Sequence, residues 1–327
     1  MTRSPARLLA AALTAVLAVA LAACSSSEQP STAPPGSAPP GAATFPVTVQ
    51  HAFGTTTIPS EPKRVVTVGF NDVDFALALG VVPVGVRDNI GEYDESKRPW
   101  AQAALNGANP PQVGGNEIDA ERVAALQPDL ILGIYSFMSQ ADYDTLSKIA
   151  PVVAQPTADN AAMGWQDQTR LTGKVLGRSA QAEQAVADVE ARFAKARADN
   201  PQFAGKTLGI DFVIDNQIYK LGTDDLRTQV FTGLGLDVGG KGDPTPLSPE
   251  RISEIDKDAI VVFGPSREQL AGDQLFQGLN AVKNGHVVYL GGFDTDVASA
   301  LGFGSPLSLP TALDAVVPQL AQAYQGT

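Results

Sequence analysis

The chain has one cysteine, Cys24, in 327 residues, so no disulfide within the chain can staple it. Histidine is almost as scarce, with only His51 and His286. Transition-metal sites draw heavily on His and Cys, so no resident metal centre is expected. His51 stands beside a Phe-Gly turn and His286 follows Asn-Gly before an apolar run, and both are read as structural. A Ser-His-Asp triad would have to use one of these two, and no Gly-x-Ser-x-Gly elbow occurs. True phosphate loops are missing too. "GLDVGGKG" (235–242) has the spacing, but Gly242 stands where Ser or Thr would hold magnesium. "AGKT" (204–207) has Asn200 in place of the first glycine and precedes a strand instead of following one. Basic charge is short, with 23 Lys and Arg against 35 Asp and Glu, which argues against sequence-independent nucleic-acid binding. A protein that is not an enzyme is expected. A lipid-anchored hydrolase or oxidoreductase, or a surface sensor or adhesion lipoprotein, is the remote alternative.

What is present is globular composition, 44% hydrophobic, in a length that usually divides into two core-bearing units. Arg3 and Arg7 precede an apolar stretch from Leu8 to Ala23 broken only by Thr14, short for a membrane span and suited to a signal segment. It closes on Leu21-Ala22-Ala23-Cys24, which resembles the bacterial lipobox. That resemblance implies cleavage after residue 23 and lipidation of Cys24, anchoring the exported protein to the outer face of the cell membrane. Residues 24–44, rich in Ser, Pro and Gly, then read as a tether.

From about Phe45 short β-type runs alternate with helical stretches: "RVVTV" (64–68), "PVGV" (83–86), "DLILGI" (129–134) and "PVVA" (151–154). A helical region around 164–200 interrupts, with a stop at Gly177 and apolar positions from Ala182 to Ala196 on one helical face. Alternation resumes with "TLGIDFVI" (207–214), "AIVVF" (259–263) and "HVVYL" (286–290), ending in a helix from about Pro310 to Tyr324. The expected fold class is α/β: two Rossmann-like lobes with mostly parallel sheets, residues 45–163 and 201–327, joined by a long backbone helix within 164–200. One phrase occurs twice. "DAERVAALQPDLIL" (119–132) and "SPERISEIDKDAIVV" (248–262) each open on a capping residue, place Glu121 or Glu250 in the first turn, and run into a buried strand. A first-turn glutamate suits the helix dipole, and an exposed one could also meet a cationic partner.

"AFGTTTIPSEPKRVVTVGFNDVDFALALGVVPVGV" resembles the opening of iron-siderophore ABC-transporter substrate-binding proteins. "IDAERVAALQPDLILG", "GLNAVKNGHVVYL" and "SPLSLPTALDAVVPQL" resemble that family's later blocks, so the likeness runs from Phe45 to the C-terminus. It implies a class III binding-protein-like architecture with ligand held between the lobes. It also implies a monomer that delivers a ferric siderophore to ABC permease subunits, with Glu121 and Glu250 docking on permease arginines. Haem or cobalamin carriers of the same fold are the alternative. No cofactor is implied, since iron would arrive already chelated.

Ligands of open α/β sheets lie outside the carboxyl ends of the strands. The residues just past each strand are therefore the expected ligand contacts: Phe70, Asn71, Arg87, Tyr93, Trp100, Asn116 and Tyr135 in the first lobe, and Tyr219, Lys241 and Phe293 in the second. Arg87 and Tyr135 are the preferred donors, suited with the aromatics to a chelate with an apolar rim. Arg227 is expected to pair with Asp224 or Asp225, and Trp165 to pack between the lobes. Strongly anionic catecholates would want clustered arginines, and linear spacing does not show whether Arg87, Lys97 and Arg98 converge. A neutral hydroxamate or mixed-ligand chelate is favoured.

Overall fold

The computed structural model describes residues 44–88, 93, 97–157, 163–215, 217–242, 245–292 and 294–325. The expected signal segment, Cys24 and nearly all of the tether lie outside them. A hairpin opens the body, β1 (Val47–His51) against β2 (Gly54–Ile58), with inward Val47 and Val49 alternating with exposed residues.

The first lobe follows in chain order: β3 (Val65–Thr67), α1 (Asp72–Ala78), β4 (Gly85–Val86), α2 (Gln102–Leu105), α3 (Ala120–Ala125), β5 (Leu130–Gly133), α4 (Gln140–Leu146) and β6 (Val152–Ala154). Its four strands are parallel in the order β4-β3-β5-β6. Each is shorter than the apolar run that foretold it. Side chains alternate between two cores: Val65, Leu130, Leu132 and Val153 pack on one face, Val66, Ile131, Val152 and Ala154 on the other. A parallel strand covered on both faces needs an unbroken apolar run, which is what these segments carry.

The linking region is two helices, α5 (Trp165–Leu176) and α6 (Ser179–Asp199), meeting at Gly177 with φ 71°. They pack closely: a Cβ on Gly173 would lie 2.4 Å from that of Ala182. The 21 residues of α6 span roughly 30 Å. Its Ala182 belongs to the first lobe's core, whereas Val186, Val189 and Phe193 belong to the second's. The second of the two helices thus carries the span between lobes. Trp165 stacks on Phe193 at 6.3 Å, within the core that also takes Phe75 of α1.

The second lobe contains β7 (Leu208–Ile214), β8 (Gln217–Lys220), α7 (Gln229–Gly233), β9 (Ala259–Phe263), α8 (Arg267–Leu270), α9 (Gln274–Gln277), α10 (Asn280–Lys283), β10 (Val287–Tyr289), α11 (Asp296–Phe303) and α12 (Ser308–Ala323). Its sheet order is β10-β9-β7-β8, with β8 antiparallel at the edge. Ala259, Val261 and Phe263 of β9 face one core and Ile260 and Val262 the other, repeating the first lobe's pattern.

Candidate functional site

The carboxyl ends of β3 and β5 are knitted into one rigid wall. Phe70 N–H donates to the Tyr135 carbonyl at 2.9 Å. Asp72 accepts from Ile134 N–H at 2.8 Å and from Gln168 Nε2 at 2.9 Å. Burial raises the Asp72 carboxyl to about 6, with these hydrogen bonds pulling the other way. Ser136 Oγ donates to the Gly133 carbonyl at 2.8 Å and lies 3.1 Å from Gln155 Oε1, while Gln155 Nε2 reaches the Met138 carbonyl at 2.9 Å. That stitching holds Phe137 at φ 53°, a left-handed conformation an aromatic residue seldom adopts. Its ring, 42% exposed, meets Tyr135 at 4.7 Å and Phe70 at 5.9 Å. Non-glycine residues held at positive φ concentrate at functional sites.

The facing wall comes from the second lobe. Asp225 caps a 3-10 turn, Leu226–Thr228, accepting from Arg227 N–H at 2.9 Å. Its two oxygens also take Arg227 Nε at 2.7 Å and Nη2 at 2.5 Å, a bidentate pair. The guanidinium sits over the rings of Phe212 and Phe263, 5.3 and 5.9 Å from their centroids. Asp224, the other partner weighed, accepts instead from Gly242 N–H at 2.7 Å. From α11 come Ala298, Ser299, Gly302 and Phe303; a Cβ on Gly302 would meet nothing within 4 Å, so that helix face is bare. The walls enclose a cleft of ≈ 290 Å³. Tyr135 lines it, and burial, then the Asp225 charge, push its hydroxyl up to about 12 while Arg227 pulls down. Tyr135 therefore stays a phenol donor at neutral pH.

Of the expected contacts, Phe70, Asn71 and Tyr135 line this cleft. The Asn71 amide is committed: Nδ2 donates to the Phe303 carbonyl at 3.0 Å and Oδ1 accepts from Gln168 at 2.9 Å. Arg87 lies behind the wall, not on it. Buried, it donates to the carbonyls of Gly115, Asn116, Val68 and Ser136 at 2.7, 2.6, 3.2 and 2.8 Å, with its guanidinium 4.0 Å from the Phe70 centroid. Asn116, an exposed residue, contributes its carbonyl to that brace. Tyr93 and Trp100 clasp the lobes together. Tyr93 stacks on Trp100 at 6.0 Å and donates to Asp296 of α11 at 2.8 Å. Trp100 meets Phe303 edge-on at 5.8 Å and donates to Asp74 at 2.6 Å. Buried Asp74 also takes the Ser305 hydroxyl at 3.1 Å and faces Arg98 at 3.2 Å. Tyr219 stacks on Phe212 at 4.8 Å, and Lys241 is an exposed loop residue; neither lines the cleft. Phe293 lies outside the described residues. Sequence reasoning passed over Phe137, Leu226, Ser299 and Phe303. Only Phe137, two residues past Tyr135, carried a signal.

Glu121 and Glu250 are both exposed in first turns, of α3 and of a 3-10 helix, Pro249–Ile255. Asp119 caps α3, accepting from Glu121 and Arg122 N–H at 3.1 and 3.0 Å. Ser248 makes no such bond to its helix; its hydroxyl instead adds to the Glu250 backbone N–H in holding the Glu250 carboxyl below the usual range. Among the described residues, no group of three or more His, Cys, Asp or Glu could hold a metal ion.

Two α/β lobes spanned by a helix, with an aromatic cleft between the ends of their sheets, define a two-lobed solute receptor. Residues 65–292 match the periplasmic binding protein family, and the chain belongs to it. That family comprises substrate-binding transport proteins, not enzymes. The chain is similar to the iron(3+)-hydroxamate-binding protein FhuD of Bacillus subtilis, 29% identical over 309 residues, 88% of this chain and 91% of that one. Among solved structures it is similar to a periplasmic solute binding protein from Mycobacterium smegmatis, 32% identical with a TM-score of 0.75, covering 85% of this chain and 98% of that one. It is also similar to PiaA of Streptococcus pneumoniae in complex with ferrichrome, 28% identical with a TM-score of 0.73 over 85% and 98%.

Proposed function

We propose that this protein captures a ferric siderophore in the interlobe cleft and hands it to the permease of an ABC importer, tethered outside the cell membrane through lipidated Cys24. The observation that carries the reading is the wall of Phe70, Tyr135 and Phe137 facing Arg227 across the cleft. Aromatic rings suit the apolar rim of a chelate, and Tyr135 supplies a neutral donor for its oxygens. The hydroxamate and ferrichrome partners named for the relatives above support the same class. Exposed Glu121 and Glu250, one per lobe, are the docking carboxylates for cationic side chains of the permease. A haem carrier is the alternative, and among the described lining residues Tyr135 is its sole axial-ligand candidate.

Tryptophan fluorescence tests this, because Trp100 touches the cleft through Phe303. Titration with ferrichrome, a ferric catecholate, haem and cobalamin should give saturable quenching by at least one ferric siderophore and none by the tetrapyrroles. Quenching by haem or cobalamin alone would overturn the proposal.

A further inference from the structure

We infer that Asp225 sets the charge the cleft accepts: by locking Arg227 it makes the site select uncharged ferric chelates over anionic ones. This inference rests on the siderophore reading above and adds a specificity determinant to it. Among the described lining residues only Asp225 and Arg227 carry formal charge, and the two sum to zero. The pair is bidentate, at 2.7 and 2.5 Å, and the guanidinium is further fixed over Phe212 and Phe263. An anionic chelate therefore meets a carboxylate at the wall. The arginine that would welcome it can turn away from Asp225 only by giving up two aligned charge-assisted hydrogen bonds. Asp225 and Arg227 are each less than a quarter exposed, so the repulsion is screened less than between fully solvated charges. An uncharged trihydroxamate faces no such repulsion. It offers oxygens to the Tyr135 phenol and apolar surface to Phe70 and Phe137, both on the opposite wall.

Asp225→Asn tests the idea cleanly, because asparagine keeps the acceptor that caps the turn at Arg227 N–H while removing the charge. Asp225→Ser, another capping residue, is the second variant should the first fold poorly. Dissociation constants would be read by fluorescence quenching of the full chain with two probes: ferrichrome, an uncharged trihydroxamate, and ferric enterobactin, a trianionic tris-catecholate. The wild type should favour ferrichrome by at least about tenfold. Asp225→Asn should tighten the tris-catecholate by about 10–100-fold and shift the ratio of the two affinities toward it. The double variant Asp225→Asn/Arg227→Gln, neutral again, should lose that gain. A wild type that prefers the tris-catecholate, an affinity ratio unmoved by Asp225→Asn, or a gain retained in the double variant would each overturn charge selection while leaving siderophore capture standing. Binding of neither probe to the wild type would overturn both.

Discussion

Replacing Phe137 by glycine should separate binding from stability, and the structure supplies the terms. A non-glycine residue in the left-handed region costs about 1–2 kcal/mol, and Phe137 sits there at φ 53°. Glycine removes that strain but adds about 0.5–1 kcal/mol of unfolded-state freedom. The variant also loses ring contacts to Tyr135 at 4.7 Å and Phe70 at 5.9 Å. Such pairs contribute about 0.5–1.5 kcal/mol each, and a ring left 42% exposed belongs at the low end. Burial of the covered part of the ring adds about 1–1.5 kcal/mol to the loss, so the strain relief offsets only part of it and the urea midpoint should fall by an amount equivalent to about 1–2 kcal/mol. Binding has no such compensation. Covering the exposed part of a phenylalanine ring stabilises a complex by about 1–2 kcal/mol, so affinity for ferrichrome should fall about 5–30-fold. Phe137→Ala is the control: it loses the same contacts but keeps the strain, and should be less stable than Phe137→Gly by about 1 kcal/mol. Far-ultraviolet circular dichroism in urea and fluorescence titration read both quantities. A stability loss above about 3 kcal/mol for the glycine variant would mark Phe137 as an ordinary core residue. Unchanged affinity would remove the ring from the binding wall.

Stability should fall as pH rises from about 4 to 6. Burial leaves Asp72 protonated in the fold, at about 6, over a range where the unfolded chain, near 3.8, has lost the proton. Its contribution is full below the unfolded value and is lost through the folded one, on the order of 3 kcal/mol. Asp74 and Asp211 are shifted the same way by burial; Glu61, Glu250, Asp258 and Glu268 go the other way but lie near the surface, where solvent screens them. Asp211, wholly buried in β7 with neither carboxylate oxygen hydrogen-bonded among the described residues, is the extreme case. Asp211→Asn should raise the urea midpoint at pH 7 and flatten the decline; midpoints that climb between pH 4 and 6, or a destabilised variant, would contradict this. Glu121→Ala and Glu250→Ala should each lower siderophore uptake by cells while sparing the affinity of the purified protein; normal uptake by the double variant would leave these carboxylates only their helix-dipole role.

Local signals made most of the frame legible. Buried parallel strands announce themselves as apolar runs, and Gly177 marked the corner between α5 and α6. Edge strand β8 was not anticipated, because "QIYK" has one buried residue in four and little pattern to read. The cleft was legible where it follows strand ends, at Phe70, Asn71 and Tyr135. Arg87 also follows a strand, yet four carbonyls from residues 68, 115, 116 and 136 converge on its guanidinium. Nothing in linear order brings those acceptors together. Between Asp224 and Asp225 the choice turns on a 3-10 turn that aims one carboxylate at Arg227 and its neighbour at Gly242. Phe303 lies on a helix from the far end of the chain, so only the assembled fold sets it opposite Phe70.

The residues that shape the cleft are also those that hold the lobes together, and this constrains how the receptor works. Phe303 lines the cleft while its carbonyl accepts from Asn71 of the first lobe. The helix that carries it, α11, takes the Tyr93 hydroxyl on Asp296, and just beyond it Ser305 donates to Asp74. On the other side α1 bears Asp72 and Asp74 and places Phe75 in the second lobe's core. Moving α11 far from the wall of Phe70 and Phe137 would break all three hydrogen bonds. Two of these involve buried groups, each costing about 1–3 kcal/mol if left unsatisfied. A ligand would have to recover that on every cycle of capture and release. The arrangement instead favours a cleft whose shape is set before ligand arrives, with affinity drawn from preorganisation and discrimination from the fixed pairing of Asp225 with Arg227.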